Sequence, residues 1–157
     1  MRIPIAAVAA LAVLLPACGP EPKPAPTVAV KPAAPRPHDE SSHLPLADRV
    51  DTKVVDEHLL EQPFMPGGTL GTYRKGKLEY EMFVARTGSP LDAAVLLPDW
   101  QKALAGAKLV PAFGAYYGEL GGRPVFVFTK GAWIAGIAGL NEKQADLPAR
   151  ALATRLN

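Results

Sequence analysis

Between residues 20 and 37 the chain places proline at Pro20, Pro22, Pro24, Pro26, Pro32, Pro35 and Pro37, and no other feature of the 157 residues constrains folding as strongly. Proline lacks an amide hydrogen and clashes with the preceding turn of a helix, so neither a helix nor a sheet interior tolerates this density. The Ala, Val and Lys residues between the prolines supply too little apolar bulk for a core. The segment is expected to be a polyproline-II spacer, which at about 3.1 Å per residue reaches roughly 60 Å. Folding is thereby confined to the residues that follow, enough for a single domain. A net charge of +2 is too small to mark a nucleic-acid-binding surface. A single cysteine supports neither an internal disulfide nor a Cys-rich metal site.

The residues before the spacer set out where the protein works. Arg2 is followed by an unbroken apolar run from Ile3 to Leu15 and then by small residues, the pattern of a signal peptide. The run is shorter than the roughly 20 residues a membrane-spanning helix needs. Its end, Leu15-Pro16-Ala17-Cys18, resembles the lipobox of bacterial lipoproteins. That resemblance implies cleavage before Cys18, a diacylglyceryl group on its thiol and further acylation, palmitate for example, on the new amino terminus. Two or three chains hold a protein stably, since each buried methylene contributes about 0.8 kcal/mol. With Gly19 rather than Asp after the cysteine, the resemblance favours the outer membrane, facing the periplasm. The expected organisation is a signal peptide over 1–17, the acylated Cys18 with a linker over 18–45, and one globular domain over 46–157.

His38-Asp39-Glu40-Ser41-Ser42-His43 groups two imidazoles with two carboxylates. The histidines are five apart, about 140° around a helix, whereas zinc-protease histidines sit four apart on one face. The stretch therefore reads as solvated linker, and no metal or cofactor is assigned. Val50, Val54, Val55, Leu59 and Leu60, set among charges between Leu46 and Gln62, have approximate helical spacing and predict a short docking helix ended by Pro63 and Pro66.

From Pro66 the pattern changes to strands. Thr69 to Arg74, Lys77 to Arg86, Lys108 to Leu120, Pro124 to Thr129 and Ala132 to Leu140 are predicted strands, with Lys75-Gly76, Gly121-Gly122 and Lys130-Gly131 as turns. Leu78, Tyr80, Met82 and Val84 alternate with Lys77, Glu79 and Glu81, which suggests one covered and one wet face. Ser89-Pro90-Leu91-Asp92 is a helix start, with a break or kink expected at Pro98. The stretch from Asn141 to Leu156 is predicted as a closing helix, with Ala145, Ala149, Leu152, Ala153 and Leu156 on one face. The expected fold is α+β: an antiparallel sheet of about five strands, ordered ββαβββα, with its helices packed on one face. The Gly67-Gly68 opening, Tyr73, the Asp92-Ala93 step and the aromatic strand ending at Lys130-Gly131 resemble bacterial envelope domains of unassigned activity. The resemblance implies a setting in the envelope and carries over no catalytic residue.

Chemistry is sparse in the domain. From Leu59 onward there is no His and no Cys, and the one Ser, Ser89, is taken up by a helix cap, so a Ser-His-Asp arrangement cannot be assembled there. Glu79 and Glu81 lie about 7 Å apart along one strand face, within the range of inverting glycosidases. Alternating acids on a wet face, however, ordinarily serve solubility. No catalytic residue is assigned, and the chain reads as a non-enzyme. Consecutive Tyr116 and Tyr117 point to opposite faces; one of them, with Arg123 and Lys130 in adjoining turns, outlines a candidate binding patch for an anionic or sugar ligand. Two readings follow. One is a lipid-anchored envelope protein, held to the membrane through Cys18, that presents a small domain to a protein partner or to cell-wall material. The other is a small-ligand-binding module with an aromatic-lined pocket between sheet and helices. A filled interior with an exposed apolar patch favours the first, and a cavity of several hundred Å³ lined by aromatics the second.

Overall fold

The structure, a computed structural model, describes residues 39–157. The expected signal peptide, Cys18 and the proline-rich stretch lie outside the described residues. After a 3-10 turn at Ser41–His43 come strand β1 (Arg49–Glu57), a second 3-10 turn (Leu59–Glu61), β2 (Pro66–Lys75), β3 (Leu78–Arg86), helix α1 (Pro90–Ala103), β4 (Ala105–Val110), β5 (Ala115–Leu120), β6 (Arg123–Lys130), β7 (Trp133–Ala138) and helix α2 (Glu142–Ala153). The strands form one antiparallel sheet in the order β1-β2-β3-β7-β6-β5-β4. The first three make a meander and α1 carries the chain to the far edge. The last four strands then step back until β7 pairs with β3. Gly76, Gly121 and Gly131 open the two-residue turns β2–β3, β5–β6 and β6–β7, with φ of 62°, 57° and 55°, where a Cβ would meet the neighbouring carbonyl oxygen.

The α+β class stands, and three of its details are corrected. There are seven strands instead of about five. Leu46–Gln62 does not form the expected helix: its β-branched residues Val50, Thr52, Val54 and Val55 enter edge strand β1, where the pleat suits branched side chains. The expected single strand over 108–120 is two strands, because Pro111–Gly114 turns the chain and Gly114 adopts a φ of 62°. In addition, α1 runs through Pro98 without a break. Beyond Pro98, Trp100 is fully buried and donates from Nε1 to the Met65 sulfur at 3.2 Å, and this burial holds the last turns in place.

The helices pack on opposite faces of the sheet, not on one. Tyr80, Met82 and Val84 of β3, Phe126 and Phe128 of β6, and Ala135 and Ile137 of β7 meet Ala145, Ala149 and Leu152 of α2. The alternate residues Phe83, Ala85, Val125, Val127 and Ile134 meet Trp100 and Leu104 at the end of α1. The wet face inferred from Lys77, Glu79 and Glu81 belongs only to the start of β3. Two residues further along, the same face carries Phe83 and Ala85, both fully buried. Ser89 caps α1 as expected, accepting from the Asp92 amide at 3.1 Å. Leu91 and Val95, however, stay 72% and 55% exposed, while Ala93 and Trp100 turn inward. Asn141 and Gln144 close α2 with a reciprocal capping box. Pro148 stands inside α2.

The domain also begins before residue 46. Leu44 is fully buried on the α2 face, the Glu40 amide donates to Thr69 Oγ1 at 2.9 Å, and Tyr73 donates from its hydroxyl to the Pro45 carbonyl at 2.8 Å. Arg155 donates to the Ser42 and His43 carbonyls, and the His43 ring lies 4.6 Å from that of Trp133. The segment assigned to solvated linker is thus a strap tying the amino end of the domain to its carboxyl end. Leu44→Ala is expected to lower stability by about 3 kcal/mol, seen as a reduced denaturation midpoint with an unchanged slope.

Burial pushes the Tyr73 hydroxyl up to about 12 from an ordinary value of 10, partly opposed by Arg49. A group whose pKa is raised on folding contributes fully below its unfolded value and loses that contribution as pH climbs through the folded one. The protein should therefore lose stability between pH 10 and pH 12. Tyr73→Phe should flatten that limb in thermal melts across this range.

Candidate functional site

Helix α1 packs chiefly over β4 to β7 on its face of the sheet, away from β1 and β2. There the cover comes instead from the loop between β1 and β2, whose Leu59 and Met65 are buried against the sheet. Between this loop and the sheet an open cleft of about 620 Å³ remains. Leu70 of β2, Glu81 of β3, Ala138 of β7 and Val125 of β6 line its floor. Lys53 and Val55 of β1 stand at one end, Leu120, Gly121 and Arg123 at the other, and His58, Leu60, Glu61 and Gln62 form the rim.

Register explains why Glu81 and Arg123 meet there. Glu81 pairs with Ala138 and Ala138 with Val125 across the sheet, so these side chains share a face, and Arg123 is one pleat further along β6. Its guanidinium donates to Glu81 Oε2 at 2.6 Å and to the Ala138 carbonyl at 3.2 Å. It lies over Gly139, which has a φ of 97° and where an added Cβ would come within 3.4 Å of it. The pair is partly exposed, Glu81 at 24% and Arg123 at 43%. Glu81 Oε1 accepts no hydrogen bond from the described residues, and much of the Arg123 fork of N–H donors is likewise unused. With Lys53 and Arg123 set against Glu61 and Glu81, the charged lining is balanced.

Of the four residues proposed as a binding patch only Arg123 lines this cleft, together with Glu81, which the sequence offered as one of a carboxylate pair. Tyr116 pairs with Val127 and is half-buried in the α1-face core, whereas Tyr117 pairs with Phe126 on the α2 face, with the Lys108 ammonium 5.5 Å from its ring centre. Lys130 is at the opposite end of β6 from Arg123, roughly 23 Å away along the strand. The four residues therefore form no common patch. The cleft lies between sheet and loop, and its lining contains no Phe, Tyr or Trp, so it is aliphatic and not the aromatic pocket expected. Glu79, the other carboxylate considered, pairs with Arg74 at 3.5 Å. Lys53, His58, Leu60 and Gln62 had no signal in the sequence beyond the prolines at 63 and 66 that punctuate the loop.

Among the described residues no buried side-chain nitrogen or oxygen lacks a hydrogen-bond partner. Within the same residues no three His, Cys, Asp or Glu side chains gather as a metal ion would require. No helix there is long and apolar enough to cross a membrane. Cys18 lies outside the described residues. No protein-family model, curated protein or solved structure matches the chain.

The rim carries local strain. His58, Leu60 and Glu61 all adopt left-handed backbone, with φ of 57°, 56° and 59°, a conformation that costs L residues roughly 1–2 kcal/mol each. Glu61 is exposed, so Glu61→Gly removes strain without removing burial. The variant should gain up to about 1 kcal/mol in chemical denaturation, after allowance for the greater freedom of glycine in the unfolded chain.

Proposed function

We propose that this protein is a non-enzymatic, lipid-anchored module of the cell envelope that binds a small amphipathic ligand in the cleft between the sheet and the β1–β2 loop. The observation that carries the binding role is the cleft itself: about 620 Å³, aliphatic at Leu70, Leu120 and Val125, with the partly exposed Arg123–Glu81 pair at its floor. Ligand sites characteristically combine a concave apolar surface with a few convergent polar groups. The anchor is supported by Leu15-Pro16-Ala17-Cys18 and the apolar run before it, which set the domain at the end of a proline-rich spacer. In this reading the spacer extends the reach of the module toward its ligand in the envelope, and the strained rim presents His58 and Glu61 to it.

Melting the protein against a panel of small amphipathic compounds tests this reading. A ligand at about 100 times its Kd adds about 2.7 kcal/mol, a shift of several degrees. Leu120→Trp, which narrows the cleft at a half-buried position, should abolish that shift while keeping the melting temperature of the unliganded protein. Shifts that persist undiminished in Leu120→Trp, or no shift with any compound, would remove the binding role.

A further inference from the structure

The cleft crosses the sheet instead of following a strand. Its lining runs from Lys53 on β1 through Leu70, Glu81, Ala138 and Val125 to Leu120 on β5, and in sheet order those two strands are five neighbour spacings apart. At about 4.8 Å per spacing the cleft is about 24 Å long. An extended polypeptide of about seven residues covers that distance. A volume of about 620 Å³ spread over it leaves room for a single chain.

The chemistry of the lining narrows what that chain is. A hydrocarbon tail would take water from Glu81 and Arg123 without offering either a hydrogen-bond partner, which is costly for charged groups. A strongly anionic ligand drawn by Lys53 and Arg123 would also face Glu61 and Glu81. A sugar would find no Phe, Tyr or Trp face in the lining and only the His58 imidazole at the rim to stack against. A peptide backbone meets all the conditions. Its amide N–H is a donor for the open Oε1 of Glu81, and its carbonyl is an acceptor for the unused N–H groups of Arg123. Its alternate side chains fall against Val55, Leu70 and Leu120 or turn outward to solvent.

We propose, building on the binding role above, that the cleft takes an extended peptide segment of no net charge, about seven residues long, whose backbone amides hydrogen-bond to Arg123 and Glu81. The interaction is carried by main-chain groups and shallow apolar contacts, so it favours small or aliphatic side chains at alternate positions and tolerates variety at the others. The ion pair is the reading head of the site: it presents an acceptor and a donor side by side, as an extended backbone does.

The test uses the full-length protein in phospholipid nanodiscs and a fluorescent pool of capped heptapeptides built from Ala, Val, Leu, Thr and Gln, read by anisotropy, with palmitate and tri-N-acetylglucosamine as separate competitors. The pool should bind with a Kd below about 1 mM. Leu120→Trp should abolish binding, Glu81→Leu should weaken it about tenfold, and Glu81→Gln, which keeps an acceptor, by about threefold or less. Thermal melts establish that each variant folds, and should Glu81→Leu fail, Leu120→Trp and Glu81→Gln decide. No peptide binding to the parent, binding undiminished in Leu120→Trp, or equal losses in Glu81→Leu and Glu81→Gln would overturn the peptide assignment. If palmitate or the trisaccharide binds in a manner blocked by Leu120→Trp while the peptides do not, the binding role survives and only the ligand class falls. If no probe occupies the cleft, both fall together.

Discussion

The pairing of β3 with β7 is the constraint on which the rest of the structure depends. All six residues of β7, Trp133 to Ala138, are buried, so the strand needs a cover on each face. At its middle, Gly136 faces Phe83 across the ladder, and a Cβ there would collide with the Phe83 ring and the Phe126 carbonyl oxygen. The missing side chain lets the Phe83 ring lie over the centre of the sheet and meet Trp100 at 5.9 Å between ring centres. From this contact outward the α1 face is organised around Trp100, and the α2 face around Phe126 and Phe128. Each strand central to the sheet therefore has two apolar faces, and the two helices divide them.

The cleft is a consequence of that division. A helix of 14 residues is about 21 Å long, while a seven-stranded sheet is about 29 Å across. Helix α1 starts at the end of β3 and must finish at the far edge to deliver β4, so β1 and β2 are left to the loop between them. That loop reaches the sheet by burying Leu59 and Met65, and three left-handed residues allow it to do so. What it cannot fill becomes a trough. Arg123, held by the Gly121-Gly122 turn, reaches into this space, and the pairing of β3, β7 and β6 sets Glu81 beneath it.

On the opposite face the amino-terminal strap covers part of the sheet. Leu44 fills the space beside Gly71 and Tyr73, and Arg155 and His43 join the strap to the end of α2. Both ends of the described chain thus meet on the α2 face and the cleft lies on the α1 face. A ligand in the cleft does not compete with the contacts that hold the domain closed.

Turn chemistry and two-residue alternation were legible in the sequence, because both are local. Lys75-Gly76, Gly121-Gly122 and Lys130-Gly131 marked three hairpins, Ser89 marked the start of α1, and Pro124 to Thr129 marked a strand. β1 was not legible: Val50, Val54, Val55 and Leu59 fit one face of a helix about as well as a strand, and only the open edge of β2 decides between them. The sides taken by the helices were not legible either, since Glu79 and Glu81 advertise a wet face that Phe83 and Ala85 then bury. Of the candidate residues Arg123 was found and its partner Glu81 noticed for another reason, whereas Lys53, His58 and Leu70 come together only through strand order. The sequence by itself determined the strands that alternate, the turns that join them and the absence of catalytic imidazole and thiol from Leu59 onward, all properties of neighbouring residues. Only the tertiary structure decided which strands lie side by side, which face each helix covers and where a cleft is left, because these depend on contacts between residues far apart in the chain.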